Sequence, residues 1–214
     1  MFMISVISQQ QQTLNNINMR LKSIILCILA VTSLTATSCK KKKSGTPPGP
    51  ASEAFPILTA ISGTGFTNTV TGSGGLEHGC RFSVAKAGKI TGLACKVPPK
   101  GSFRVTLWSF AAQTIITQVT ITTDDVQSPT ILGNLSIDVL PNIDYLVTVY
   151  TQSQWNEYRR AGGGNIPFPV TSGNITVKSY HFISAASANP TTFPTNTAND
   201  RVTGLADILY VPNN

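Results

Sequence analysis

The stretch Gly101 to Phe110, GSFRVTLWSF, alternates Phe103, Val105 and Leu107 with Arg104, Thr106 and Trp108. Successive side chains of a strand point to opposite faces, so this alternation predicts a strand with one apolar and one mixed face. A helix would need apolar residues three and four apart, a spacing the stretch lacks. Its Val, Thr, Phe and Trp residues are also the types that suit a pleated surface.

The same signature recurs on both sides. Strands are predicted near Gly79 to Val84, Lys89 to Val97, Thr114 to Thr122, Leu135 to Val139, Tyr145 to Thr151, Ile175 to Ile183 and Ala206 to Val211, with Gly, Pro, Asn and Asp between them. No long helical period interrupts this region. Only 12% of residues are charged against 41% hydrophobic, a balance that suits strands and turns better than solvated helices. The expectation is an all-β domain over residues 55–214, an antiparallel β-sandwich of jelly-roll or immunoglobulin-like kind.

The first 54 residues read differently. Arg20 and Lys22 precede the apolar run Ile24 to Val31, and the small residues Thr35 to Ser38 follow, the layout of an export signal over residues 19–38. Crossing a membrane takes about 20 apolar residues, so this run is too short to span one. Met19 is then the natural start, and residues 1–18, with their Gln run at Gln9 to Gln12, are an over-extended beginning. Cys39 directly follows the small residues and resembles the lipobox of bacterial lipoproteins. That likeness implies that the thiol receives diacylglycerol and that cleavage falls just before it. Ala36 stands where the family prefers Leu. Residues 39–54 carry Lys40 to Lys43 and a Pro- and Gly-rich run, too poor in apolar surface to fold, and form a tether. The Ser-Cys-Lys-Lys pattern is similar to lipoproteins of the Bacteroidota, in which an acidic cluster behind the cysteine often directs export to the cell surface. This chain has no such cluster, which favours the periplasmic side of the outer membrane over the cell surface.

Dividing the chain changes its charge. Of 16 basic residues, Arg20 and Lys22 fall in the signal and four lysines in the tether, leaving ten against nine acids. A nearly neutral domain offers no electrostatic footprint for nucleic acid. The basic run lies beside the lipid, where it meets anionic head groups.

A two-residue turn at Ala87-Gly88 would set Cys80 opposite Cys95. A bridge there suits an exported domain and would contribute roughly 3 kcal/mol; the alternative is a pair of buried free thiols. The run GCRFSVAKAGKITGLACKV, then VTLW at Val105, LPNIDYLVTVY at Leu140, Phe193-Pro194 and the closing LADILYVP resemble a bacterial domain family of unknown function. The likeness spans about Gly65 to Pro212. It implies a β-sandwich of secreted and cell-surface proteins, sometimes beside adhesive or polysaccharide-related modules, and carries over no catalytic residue.

Signatures of enzymes are missing. There is no metalloprotease helix motif, no nucleophile elbow and no phosphate loop, and Gly72 to Gly75 read as a flexible turn. His78, Cys80, Cys95 and His181 match no compact metal-ligand spacing, so neither metal nor cofactor is expected. Asp124-Asp125, the one acidic pair, reads as a turn. For recognition, the segment Trp155-Asn156-Glu157-Tyr158-Arg159-Arg160 before Gly162 to Gly164 stands out as a loop beyond a strong strand. Trp155 and Tyr158 offer faces for a sugar ring, and Asn156 and Arg159 offer hydrogen bonds to hydroxyl or carboxylate groups. The bland alternative is that Trp155 caps the core, Tyr158 ties a neighbouring loop and Arg159 covers apolar surface. Trp108 and Tyr180 read as outer-face or edge residues. The functional expectation is a non-catalytic envelope binding or adhesion module for glycans. An assembly subunit that binds another envelope protein is the alternative, and a hydrolase the third.

Overall fold

A computed structural model describes residues 51–98, 100–124, 129–152, 154–184 and 192–214, with residues 68–71 described by backbone alone. The expected signal, Cys39, the tether up to residue 50 and Asp125 lie outside the described residues. The fold is an all-β antiparallel sandwich with one short helix. Among the described residues no helix is long and apolar enough to cross a membrane.

One sheet contains β1 (Glu53–Ala54), β15 (Leu205–Pro212), β4 (Gly88–Lys96) and β7 (Thr130–Leu132) in that order, with β8 (Ile137–Val139) also on β4. The larger sheet runs β11 (Val170–Ser172), β12 (Ile175–Ser184), β3 (Leu76–Val84), β9 (Asp144–Thr151), β5 (Gly101–Ser109) and β6 (Thr114–Thr123), with β13 (Asn196–Ala198) also on β12. A third, small sheet joins β14 (Val202–Thr203), β10 (Gln154–Arg160) and β2 (Phe66–Ser73). The eight strands expected from alternation are all present. Glu53 and Ala54, assigned to the tether by composition, instead form a strand edge: they pair with Tyr210 and Leu209, and the Glu53 carboxylate accepts hydrogen bonds from Asn174.

β5 shows why the larger sheet is buried on both sides. Val105 and Leu107 face the main core, in register with Val149 and Val147 of β9. The opposite face is polar, yet it is buried too: Thr106 and Thr148 are fully inaccessible and Trp108 nearly so. Trp108 Nε1 donates to Thr148 Oγ1 at 2.9 Å, and Thr148 donates in turn to Glu77. Arg104 donates to Glu77 at 2.6 Å and lies over the Tyr150 ring. Phe193 stands edge-on to Trp108, 5.6 Å between ring centres, and closes this second cluster. Buried polar groups survive in such a place because most find a partner; Arg104 Nε is buried without one.

The expected Cys80–Cys95 bridge is corrected by this topology. β3 and β4 do not form a hairpin. Cys80 pairs with Val147 and Tyr180 in the larger sheet, while Cys95 pairs with Ala206 and Thr130 in the other. The turn at 85–87 is a corner between sheets, so the register that would have faced the cysteines does not exist. Both are buried free thiols, and burial raises both above the ordinary thiol range, Cys95 to about 12.

Helix α1 (Pro56–Ser62) closes one end of the core with Ile57, Ala60 and Ile61. Pro56 suits the first helical position, where the missing N–H would be unpaired in any case. Phe55 supplies no side-chain cap. Asp207 of β15 takes that part: it accepts from Ile57 N at 3.1 Å, Leu58 N at 2.7 Å and its own neighbour Ile208 N at 2.8 Å. Burial pushes its carboxyl up to about 7 against the opposing pull of those N–H groups. The unfolded group titrates near 3.8, so the folded state holds the extra proton in between. The contribution to stability is therefore full below about pH 4 and lost as pH rises to about 7. Urea unfolding from about pH 4 to 8 should show the wild type losing stability relative to Asp207→Asn across that window; parallel curves would sink the assignment.

Candidate functional site

Strand β10, not a loop, carries Trp155 to Arg160. It pairs along β2 from Gln154↔Ser73 to Arg160↔Phe66, with an irregularity between Glu157 and Tyr158. This corrects the expected loop and splits the four candidate residues. Tyr158 belongs to the main core, and Asn156 is buried with its carbonyl accepting from Gly204 N at 2.9 Å. Arg159 is held by Glu157. Of the four, Trp155 is the one that lines the cleft beside β12 and β13.

The half-buried indole has a specific seat. A Cβ built on Gly72, its partner on β2, would lie 2.3 Å from Trp155 Cε2 and Nε1, so the ring rests on bare backbone. Gly72 is thus part of a strand, and only the following residues turn: Gly74 has φ +108°, a conformation that favours glycine. On its other side the indole meets the His78 ring edge-to-face, 6.2 Å between centres.

Below the indole lies a cleft of about 500 Å³, between the small sheet and the β12–β13 ribbon. Tyr180 and Thr203 form its floor, Leu76 and Phe182 its apolar sides, and Glu157, Asp200 and Arg201 its charged rim. Arg201 bonds Asp200 at 3.1 Å and approaches Glu157 at 3.6 Å. Glu157 is therefore clamped between Arg159 and Arg201, which compensates the burial of its charge. Such a mixture of apolar walls and a few fixed polar groups is typical of ligand pockets, which run from about 300 to 1,000 Å³.

Behind the floor, His78 Nδ1 sits 2.7 Å from Thr203 Oγ1 and its Nε2 3.3 Å from Thr151 Oγ1; Thr203 also bonds the Tyr180 hydroxyl. Gly204 permits this closeness, since a Cβ there would lie 2.4 Å from His78 Nε2 and its φ is +49°. The hydroxyl–imidazole pair is sealed away from solvent. His78 is fully inaccessible, and burial lowers it to about 3, far from the pKa a general base needs near neutral pH. The triad of hydroxyls and imidazole fixes the floor of the cleft.

The residues weighed for metal do not converge. His78 and Cys80 point into the sandwich, whereas His181 lies on the outer face of β12 beside Ser179, 2.9 Å from its hydroxyl. Among the described residues no three His, Cys, Asp or Glu side chains are grouped to hold a metal. No protein-family model matches the chain, and no curated protein matches it.

Sequence reasoning picked out Glu157 only within its own segment and missed Tyr180, Phe182, Asp200 and Arg201 beside it, because the group comes from two separate strands and a loop. Gly72 was visible, but only as a turn residue. Its role generates a test: Gly72→Ala should unseat the indole, shifting tryptophan emission to the red while unfolding free energy changes by no more than about 1 kcal/mol. An unchanged spectrum would refute this seating of Trp155.

Proposed function

We propose that the chain is an envelope lipoprotein, anchored through Cys39 on the periplasmic side of the outer membrane, whose sandwich domain binds glycans without catalysis in the Trp155 cleft. The observation that carries this reading is the indole pinned across Gly72 at the mouth of a cleft with a charged rim. A rigid aromatic face matches the apolar face of a sugar ring, and Asp200, Arg201 and Glu157 suit its hydroxyls. Little ordering is needed on binding, because the ring and the ion cluster are already held in place. The near-neutral domain and the mixed signs of the rim argue against a nucleic-acid partner.

An assembly subunit is the second reading, and one feature favours it. Strand β6, TIITQVTITT, is an edge of the larger sheet among the described strands and has no charged residue, with Ile115 and Ile116 exposed. Edges that avoid pairing with other chains usually carry charge or Pro. Capture of one envelope protein by crosslinking at β6, with no glycan bound, would move the conclusion to that reading.

For the glycan reading, titration with cell-wall polysaccharides should give saturable binding that Trp155→Ala weakens about tenfold, or ~1.4 kcal/mol. Arg201→Ala should weaken it less, by roughly threefold, as one rim hydrogen bond is lost. Binding indifferent to both substitutions would remove the cleft from consideration. For the anchor, Cys39→Ser should move the exported product from the detergent phase to the aqueous phase and abolish incorporation of labelled lipid. Retention in the detergent phase would defeat the lipid assignment.

A further inference from the structure

Strand β12 has two edge partners on one side, β11 at Ile175 to Val177 and β13 at Tyr180 to Phe182. They part at a β-bulge, where the register with β3 shifts between Val177 and Ser179. A bulge re-aims the side chain of the extra residue, here Lys178. Its ammonium reaches Asp144 at 2.5 Å, and Arg81 bonds the same carboxylate through Nε at 3.1 Å. Two cations thus share one anion. Burial opposes ionisation of Asp144, but the bonds from Lys178 and Arg81 prevail and hold its carboxyl below the usual range. One positive charge is left over.

That excess sits at a cavity of about 480 Å³. Arg81, Lys178, Ser179, His181, Phe168 and Asn199 line it, and no carboxylate is among the lining residues. The Arg81 guanidinium is braced from behind by the Phe110 ring, 4.1 Å from its centre, and His181 packs edge-on to the same ring at 5.3 Å. Burial lowers His181 from its ordinary range, so the fixed charge here belongs to Arg81 and Lys178. Both remain about one-third exposed and open to a solute.

We propose that this cavity is a binding site for a small oxyanion, a carboxylate or phosphate group, held by Lys178 and Arg81 with Ser179 and Asn199 as hydrogen-bonding neighbours. Asp144 is a positioning residue in it: it orders two long cationic side chains in advance, which lowers the entropic cost of binding, while cancelling only one of their two charges. Its two cations, Arg81 and Lys178, do not line the Trp155 cleft, and Trp155 does not line this one. The two cavities share Thr197, Ala198 and Asn199 at the β13 edge and otherwise differ, with Tyr180 and Phe182 lining one and Ser179 and His181 the other.

The test is an NMR titration of the isotope-labelled full chain with inorganic phosphate, D-glucuronate and D-glucose at constant ionic strength. Saturable shifts of the Lys178, Ser179 and His181 amides are expected with at least one anion and none with glucose. The better anion identifies the acid group: phosphate points to a phosphorylated ligand, glucuronate to an acidic sugar. Lys178→Gln should weaken that binding about tenfold, the loss of one charge-assisted hydrogen bond, while Trp155→Ala leaves it within about twofold. No saturation by either anion with the unaltered chain would overturn the site before any variant is made. So would equal affinity in Lys178→Gln, or a loss in Trp155→Ala as large as that in Lys178→Gln.

Discussion

A carboxylate buried among apolar side chains joins the two ends of this domain. Asp207 stands in the last strand and accepts hydrogen bonds from the first turn of the helix that follows the first strand. Helix termini leave backbone N–H groups without partners, and a buried terminus left in that state costs free energy comparable to lost hydrogen bonds. Helix α1 is too short to persist by its own propensity. It exists because Ile57 and Ile61 fill the end of the sandwich and Asp207 answers its first amides. Remove that answer and the core loses its lid as well as its clasp.

The two faces of the larger sheet divide the remaining work. One face makes the main core by ordinary alternation. The other is held by Glu77, Thr148, Arg104 and Trp108, a buried chain of hydrogen bonds that demands particular partners. Networks of this kind are costly when broken and specific when complete. Gly79 marks how tightly they are packed, since a Cβ there would fall 1.8 Å from the Val147 carbonyl oxygen. Both candidate cavities adjoin this rigid sheet through β12, so their side chains are placed by a scaffold with little freedom to rearrange.

Local pattern carried the reading of the strands a long way and then stopped for identifiable reasons. Phe103, Val105 and Leu107 announce their strand by alternation, and so do the other seven segments expected. Trp155 to Arg160 do not: six large, mostly polar residues hide a strand whose partner is the glycine-bearing β2, remote in sequence. The turn after Val84 looks the same locally whether it makes a hairpin or a corner between sheets, and only long-range pairing decides. That ambiguity produced the expected disulfide. In the cleft, Trp155 was legible as an aromatic in an unusual setting, but Arg201 and Tyr180 acquire meaning only when β10, β12 and β14 meet. Lys178 gave no local sign at all, because a bulge arises from the register of two strands and not from one.

The corner that separates Cys80 from Cys95 also sets how the domain relates to its chemical surroundings. Each thiol is sealed in the interior and disfavoured as thiolate, the form that oxidation and exchange require. Between these two cysteines no covalent clasp has to be formed, shuffled or protected while the domain folds. At this corner the native state is accordingly insulated from redox potential: among the described residues oxidants find no paired thiols to join, and reductants find no bridge to cut.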